Sequence, residues 1–452
     1  MERWLLGLIC LAFGCAEKVV PDYQLVVTNA TIFNSTTLDL EKGQTVFIQD
    51  GVIVKIEEFK DSHKSFRNVL DAGSKLLTPS FMDVHNHLEF VLGDSIVTDS
   101  EEFEWARSKM SQAYMPHGIT VVRSAGSRKA HVPMEREWMK TSPAYVDYYP
   151  TGGALVSLNT GFYNHAFVTD TSQVKLEIET NKNRGFKFVK VYSLMGKDEL
   201  STSIDVASKN NMTVFGHIEG NMVSMDEAME VGLVNFEHVK TLFLEVLNSY
   251  ESANGKLDGL PPDDDENWQI REYEIFNHFG ANDSSLVKLV NRLKNKNATI
   301  TPTLTIYANP LGLVESFTDV KLDSTNTFDW NEHKMDRAIL GFNELASLTN
   351  KLYLNGVSLN TGSDTYEPGK VILSEMLLFH QAGIPMEDVL KIASLENARS
   401  MGIDTEYGSI EVGKKAQMIL FDKSPLVEPV NLLSKKTVIK DGVIWLPTYN
   451  EQ

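Results

Sequence analysis

Six polar side chains stand where apolar, strand-like runs of this 452-residue chain end. They are His85, His87, Lys190, His217, His238 and Asp364. The first two follow the run 81–84 and lie two positions apart, on one face of a strand, because side chains alternate there. Imidazole and carboxylate groups are ligands that zinc and similar divalent ions take in proteins. The pattern therefore predicts a metal centre.

The positions of these runs also predict the fold. Strands that each deliver a polar group at their C-terminal end are typical of the mouth of a (β/α)8 barrel. The intervals between Lys190, His217 and His238 each have the length of about one strand–helix unit. Further strands are predicted at residues 118–123, 148–155 and 299–304. We therefore expect an α/β protein with a TIM-like barrel.

Two β-rich segments flank the predicted barrel. Their strands are predicted at residues 25–32, 45–54, 416–421 and 437–444. The dipeptides Asp50–Gly51 and Asp441–Gly442 favour tight hairpin turns. We expect one small, discontinuous β-sandwich built from both ends of the chain, at 24–78 and 405–448, with the barrel at 79–404 between them.

The N-terminus has the features of a targeting segment. Its apolar run, Trp4–Phe13, is long enough for the core of a signal peptide and too short to span a bilayer. Both cysteines, Cys10 and Cys15, lie in this region, so the mature domain cannot form an internal disulfide. Residues 11–15 are similar to a bacterial lipobox. We predict a signal peptide at 1–15, lipidation of Cys15 and export to the cell envelope, with an unlipidated periplasmic or secreted protein as the alternative.

Composition restricts the partners of the protein. The chain is long enough to bury a large core and exceeds one typical domain. Its net charge of −19 argues against nucleic acid and anionic membrane surfaces as partners. We therefore expect a small-molecule substrate, and contact with a membrane only through a lipid on Cys15. The oligomeric state is not determined by the sequence.

The order His-x-His, Lys, His, His, Asp resembles that of the amidohydrolase superfamily, in particular its members with two metal ions and a carboxylated lysine. The resemblance extends from about residue 25 to the C-terminus. It includes the segments 77–87, 361–364, 393–398 and 408–416. Among the subgroups of the superfamily, the chain looks most like the imidazolonepropionase-like and Xaa-Pro dipeptidase-like hydrolases. This resemblance also implies the barrel with a discontinuous β-sandwich.

The resemblance implies two divalent metal ions, with zinc as the expected metal, bound by all six side chains. Lys190 must first become neutral and react with carbon dioxide, because the resulting carbamate is an anion that can bridge two ions. A hydroxide shared by the ions would attack the substrate carbonyl, since a catalytic metal lowers the pKa of water from 15.7 to roughly 7. Asp364 would take its proton and pass it to the leaving nitrogen.

Three further residues are candidates for catalysis or substrate binding. His165 follows the predicted third strand, where relatives often carry a histidine that contacts substrate. Tyr192 shares a strand face with Lys190, two positions earlier, and could donate a hydrogen bond to substrate, with core packing as the alternative. Arg123 ends the predicted second strand and could pair with a substrate carboxylate. The polar segment 259–267 is predicted to form a loop over the substrate.

We therefore expect a metal-dependent hydrolase that cleaves an amide or cyclic amide bond of a small substrate such as a dipeptide. The alternatives are a mononuclear deaminase or imidazolonepropionase-type hydrolase, a lactonase or esterase, and a non-catalytic binding lipoprotein. Mononuclear members generally lack the carboxylated lysine, so Lys190 favours the two-metal hydrolase. The complete set of ligands argues against a non-catalytic protein.

Overall fold

The computed structural model describes residues 22–220, 222–264, 266–313 and 330–446. The predicted signal peptide, including Cys15, lies outside the described residues. The described chain is a mixed α/β protein. Its strands are β1 Leu25–Phe33, β2 Leu40–Gln49, β3 Val52–Glu58, β4 Val69–Asp71, β5 Leu76–Pro79, β6 Phe81–Asn86, β7 Ile119–Ser124, β8 Asp147–Tyr149, β9 Ala154–Val156, β10 His165–Phe167, β11 Phe188–Val191, β12 Thr213–Gly216, β13 Asn235–Glu237, β14 Thr299–Thr301, β15 Ser358–Leu359, β16 Met418–Phe421, β17 Lys436–Lys440 and β18 Val443–Ile444.

Helices alternate with the strands in the central part of the chain. They are α1 Glu89–Leu92, α2 Phe103–Tyr114, α3 Val132–Trp138, α4 Thr171–Asn183, α5 Lys197–Lys209, α6 Met225–Glu230, α7 Lys240–Asn254, α8 Trp268–Phe279, α9 Ser284–Asn295, α10 Thr305–Ala308, α11 Glu332–Leu354, α12 Pro368–Gln381, α13 Met386–Lys391 and α14 Asn397–Ser400. Among the described residues, no helix is both long enough and apolar enough to cross a membrane.

Two parallel sheets carry the predicted ligands. One has the strand order β6-β7-β8, and the other has the order β10-β9-β11-β12-β13-β14-β15. Backbone hydrogen bonds connect the segment after β15 to β6, from Val84 N to Thr361 O at 3.1 Å and from Asp364 N to His85 O at 2.9 Å. The two sheets therefore lie side by side, and the predicted alternation of parallel strands and helices is confirmed.

The remaining strands form one sheet from both ends of the chain. Its order is β18-β17-β16-β5-β1-β2-β3, with β4 paired to β1. The predicted turn between β2 and β3 has φ of 52° at Asp50 and 76° at Gly51, and the turn between β17 and β18 has 49° at Asp441 and 74° at Gly442. Such left-handed pairs suit two-residue hairpins. The limits of the two domains stay a prediction.

The predicted third strand differs from the structure, because it is divided into two short strands, β8 and β9. Between them, Pro150 cannot donate a backbone hydrogen bond, and Gly152 has a φ of 73°. A Cβ on Gly152 would come within 2.9 Å of the Asn181 amide nitrogen. The chain therefore bends where a regular strand would continue.

Amphipathic helices cover the outer faces of the parallel strands, and α9 shows how the sequence produces one. The Asp283 side chain accepts hydrogen bonds from the backbone N–H groups of Ser285 and Leu286, which begins the helix. Its buried residues recur on one face at helical spacing, at Leu286, Leu289, Val290 and Leu293. Strands β6 and β7 are buried along their whole length, as expected for parallel strands covered on both faces.

Candidate metal centre

All six predicted ligands line one cavity of about 470 Å³. They reach it from the ends of β6, β11, β12 and β13 and from the segment after β15. Within this set, His85, His87 and Asp364 each place a ligand atom within 4.8 Å of the others. Residues that lie up to 279 positions apart are thus brought to one place, as the sequence predicted.

Strand β6 positions the His-x-His pair. The ring centroids of His85 and His87 are 5.7 Å apart. Nδ1 of His85 is 2.5 Å from the Glu237 carboxylate, and Nδ1 of His87 is 3.0 Å from the Gly126 carbonyl oxygen. Both Nε2 atoms face Asp364 Oδ1, at 3.6 Å from His85 and 3.5 Å from His87.

The other two imidazoles lie directly after β12 and β13. The rings of His217 and His238 have centroids 4.4 Å apart. Nε2 of His217 is 2.6 Å from the Glu219 carboxylate, and Nδ1 of His238 is 2.7 Å from the Thr303 hydroxyl. Each of the four histidines therefore has one ring nitrogen held by a protein oxygen and the other available as a ligand, the arrangement typical of metal-binding histidines.

Burial gives these imidazoles the form that binds a metal ion. It lowers the pKa of all four, and the lowered pKa of His87 is about 4. The cost of removing a charged imidazolium from water is the main cause in each case. The rings are therefore neutral near pH 7, and a neutral imidazole has the free lone pair that coordination requires.

Backbone geometry places Asp364 among the imidazoles. Its φ of 44° is left-handed, and its N–H donates to the His85 carbonyl oxygen at 2.9 Å. The close approach needs Gly362, because a Cβ there would come within 2.7 Å of His85 Cβ and Thr301 Cγ2. Burial raises the pKa of Asp364, and the charge of Lys190 opposes this shift.

Lys190 is 2% exposed. Its Nζ has no hydrogen-bond partner among the described residues and lies 5.0 Å from the centroid of the Phe215 ring. Burial lowers the pKa of this amine, and the charges of Glu237 and Asp364 oppose the shift. A buried amine without a partner is costly, so this position suits a lysine that is neutral and available to react. The residues present thus fit a metal centre with a carbamylated lysine.

Two of the other candidates lie on the same cavity wall. His165 and Tyr192 both line the cavity, with ring centroids 4.7 Å apart. Tyr192 also packs against His217, at a centroid distance of 4.7 Å. Nδ1 of His165 is 2.7 Å from the Thr160 hydroxyl. The structure brings both residues to the site, and their roles in catalysis and substrate binding stay predictions.

Arg123 has a different position from the predicted one. Its side chain is 1% exposed and stands apart from the cavity wall. Its guanidinium donates to the Val84 carbonyl oxygen at 2.8 Å and to the Glu237 carboxylate at 2.9 Å. The same group lies 3.7 Å from the centroid of the Phe215 ring. Arg123 is therefore not placed to pair with a substrate carboxylate, because its donors serve the protein interior.

Several charged residues near the site were not predicted from the sequence. Lys240 lines the cavity, and its ammonium lies 2.8 Å from Glu219 and 2.9 Å from Glu272. The hydroxyl of Tyr307 donates to Glu272. Their positions offered a clue, because Glu219 and Lys240 each follow a ligand histidine by two residues, the spacing of the His-x-His pair. Trp268, just after the predicted loop 259–267, also lines the cavity.

Residues 347–444 match the family model described as Amidohydrolase family. The C-terminal part of the chain is therefore similar to the amidohydrolase family. This finding bears out the predicted resemblance and agrees with the predicted class of enzyme, a hydrolase of carbon–nitrogen bonds. No curated protein matches the sequence of this chain.

Solved structures of other proteins share the fold of this chain. A Xaa-Pro dipeptidase with bound methionine is 17% identical, with a TM-score of 0.65 over 93% of this chain and 99% of that one. A candidate prolidase from Bifidobacterium longum is 17% identical, with a TM-score of 0.66 over 95% and 96%. A bottromycin amidohydrolase is 15% identical, with a TM-score of 0.66 over 92% and 86%. At these identities the similarity establishes the fold alone.

Proposed function

We propose that this protein cleaves an amide or cyclic amide bond of a small substrate at a centre of two divalent metal ions, with zinc as the expected metal. One observation carries the proposal. On a single cavity wall, four imidazoles each keep one ring nitrogen available beside a carboxylate and a buried amine that has no hydrogen-bond partner in the part of the chain that the structure describes. The two parallel sheets are interpreted as the wall of one (β/α)8 barrel, whose mouth is the usual position of an active site.

The ligands of the metal ions would be the six side chains described above. Lys190 would take part as a carbamate, formed when its neutral amine adds to carbon dioxide and releases a proton. Its buried Nζ, which has no partner among the described residues, is consistent with this modification. When bound, the metal ions supply Lewis-acid polarisation of the substrate carbonyl and a lower pKa for water.

Asp364 is the residue that we propose to move the proton. Its backbone N–H donates to the His85 carbonyl oxygen, and its carboxylate faces the Nε2 atoms of His87 and His238 at 3.5 and 3.7 Å. A carboxylate fixed at this point can accept a proton from the attacking water. It can then pass the proton to the leaving nitrogen, which must be protonated before it departs.

The cavity is proposed to hold a substrate of about the size of a dipeptide. Its volume of about 470 Å³ lies in the range of small-molecule sites. The Tyr192 ring packs against both His165 and His217, so a bound substrate would contact the tyrosine hydroxyl and the His165 imidazole next to the reacting carbonyl. The aromatic side chains of Phe90, Trp268 and Tyr307 complete an apolar wall.

A screen of hydrolytic activity tests the proposal. Protein loaded with zinc is incubated with libraries of dipeptides, N-acyl amino acids, cyclic amides, lactones and aminopurines, and the release of amine or ammonia, or of acid for the lactones, is measured. The control is the Asp364→Asn variant loaded with the same metal. Release of an amine by the wild type and not by the variant supports the proposal. Cleavage of lactones without cleavage of any amide, or a wild type that binds no metal ion, contradicts it.

A further inference from the structure

His85 is held by a carboxylate that is itself held by a cation. Glu237 Oε2 is 2.5 Å from His85 Nδ1, and Glu237 Oε1 accepts a hydrogen bond from Arg123 at 2.9 Å. The side chains of Glu237 and Arg123 are each 1% exposed, so water does not compete for these contacts. An ionised carboxylate accepts hydrogen bonds and donates none. The ring proton of His85 therefore belongs on Nδ1, and Nε2 presents a lone pair to the cavity.

His217 is also held by a carboxylate that contacts a cation, but the carboxylate lies at the other ring nitrogen. Glu219 Oε1 is 2.6 Å from His217 Nε2 and 2.8 Å from the Lys240 ammonium. Here one carboxylate oxygen accepts from both partners. The ring proton of His217 belongs on Nε2, and Nδ1 is the nitrogen that remains available for a ligand.

We propose that these two carboxylate–cation pairs, Glu237–Arg123 and Glu219–Lys240, are positioning residues that decide which ring nitrogen can bind a metal ion. They select Nε2 in His85 and Nδ1 in His217. The inference rests on the proposed metal centre, because a histidine coordinates through the nitrogen that its second hydrogen bond leaves free. It also assigns Arg123 a task that the sequence did not indicate.

The two pairs respond differently to one chemical change, the replacement of glutamate by glutamine. In Glu237→Gln the carbonyl oxygen must face Arg123, because a guanidinium only donates. The amide NH2 then faces His85 Nδ1, which has to accept, so the ring proton moves to Nε2 and blocks the lone pair that faced the cavity. In Glu219→Gln a single carbonyl oxygen replaces Oε1 and can still accept from both Lys240 and His217. The second variant is therefore a matched control for the first.

Nitrogen NMR of the metal-free full chain, labelled with 15N-histidine and held at pH 8, reports which ring nitrogen carries the proton. We expect Nδ1–H in His85 and Nε2–H in His217 of the wild type, with signals assigned by replacing each histidine. Glu237→Gln should move the His85 proton to Nε2, whereas Glu219→Gln should leave His217 unchanged. Chelator competition should show zinc affinity lowered by about 10- to 100-fold in Glu237→Gln and near the wild-type value in Glu219→Gln.

Several results would overturn the inference. They are a wild-type His85 protonated on Nε2, a Glu237→Gln variant with unchanged His85 proton and zinc affinity, or equal losses of affinity in both glutamine variants.

If Glu237→Gln fails to fold, Glu219→Ala serves instead, because it removes the acceptor of His217 at a partly exposed position. Loss of the fixed Nε2–H form in Glu219→Ala supports the inference, and its persistence opposes it. A wild type that binds no zinc contradicts the proposed function. In that case, the ring nitrogens that carry the protons in His85 and His217 still test the positioning role of the two carboxylate–cation pairs.

Discussion

The hydroxyl of Ser363 donates to the carboxylate of Asp83 at 2.5 Å, although the two residues are 280 positions apart. Asp83 also accepts from the Tyr114 hydroxyl at 2.8 Å and from the backbone N–H groups of Ser363 and His85, each at 3.1 Å. One buried carboxylate therefore joins the segment that carries His85 to the segment that carries Asp364. The relative position of these two ligands depends on it.

Replacement of Ser363 by alanine should destabilise the protein. The variant removes one of the donors of Asp83 and leaves the buried carboxylate less well satisfied, at a cost of about 1–3 kcal/mol. The free energy of unfolding of the metal-free protein, measured by denaturant titration, reports this loss. Ser252→Ala is the control, because this exposed residue donates its hydroxyl to the Asn248 carbonyl oxygen of its own helix. Equal stabilities of the two variants would show that the Ser363–Asp83 contact contributes nothing.

Glu375 should make the stability depend on pH. This fully buried carboxyl accepts from the N–H groups of Leu304 and Thr305, both at 2.9 Å, and burial raises its pKa from 4.5 to about 7. Between these values the folded protein keeps a proton that the unfolded chain releases. The protonated Glu375 carboxyl therefore contributes to the free energy of unfolding below pH 4.5, and this contribution is lost as the pH rises to 7.

The change Glu375→Gln removes this titration. Between pH 4.5 and 7, the free energy of unfolding of the wild type should fall relative to that of the variant, by up to about 1.4 kcal/mol per pH unit. Denaturant titrations of both metal-free proteins across this range measure the difference. Parallel curves would mean that the carboxyl of Glu375 is charged in the folded state throughout the range.

Asp364→Asn should separate metal binding from turnover. The amide keeps the shape of the side chain and loses the proton acceptor, so we expect metal content to be largely retained while kcat falls by about 10²-fold or more. Metal analysis and steady-state kinetics on the substrate found in the screen measure the two effects. Asp205→Asn, in an exposed ion pair with Lys209, is the control. A variant with near-normal kcat would assign proton transfer to another residue.

Lys190→Met should abolish the modification and most of the metal binding. The methionine keeps the apolar contact with Phe215 and lacks the amine that would react with carbon dioxide. Carbon NMR of wild-type protein equilibrated with 13C-bicarbonate should show a carbamate signal that the variant lacks. Lys182→Met, at an exposed position, should keep the signal. A wild type that binds two metal ions without a carbamate signal would exclude the proposed role of Lys190.

Cys15→Ala tests the anchor. We propose that signal-peptide removal before Cys15 and acylation of its thiol attach the protein to the cell envelope. The variant should be released or mislocalised, with unchanged activity of the folded domain. Cell fractionation and mass spectrometry of the mature N-terminus measure both points. Wild-type protein that begins beyond residue 15 and carries no lipid would indicate simple secretion.

The residues that meet in the cavity could be identified because their pattern in the sequence is local. Two histidines at alternate positions of β6 share a face for geometric reasons that hold in any strand, and apolar runs before His217 and His238 predict where buried strands end. The division of the third strand was missed, although Pro150 and Gly152 stand in the sequence. Their effect depends on the space that Asn181 occupies beside the turn.

Arg123 shows the limit of such reasoning. Its position at the end of an apolar run can be read from the neighbouring residues, and that position suggested that the guanidinium reaches the cavity. Its actual partner, Glu237, lies 114 positions away, and the choice between cavity and interior is made by that carboxylate.

The sequence by itself determined the types of the candidate metal ligands and their order along the chain, because side-chain alternation and apolar runs act over a few residues. The tertiary structure alone decided which oxygen holds His85, His87 and His238, since those contacts join residues 39 to 152 positions apart. Glu237 contacts Nδ1 of His85, whereas Glu219 contacts Nε2 of His217. The contact of Glu237 depends on how β6 and β13 are placed in the fold, which no spacing in the sequence shows, whereas Glu219 lies only two residues after His217.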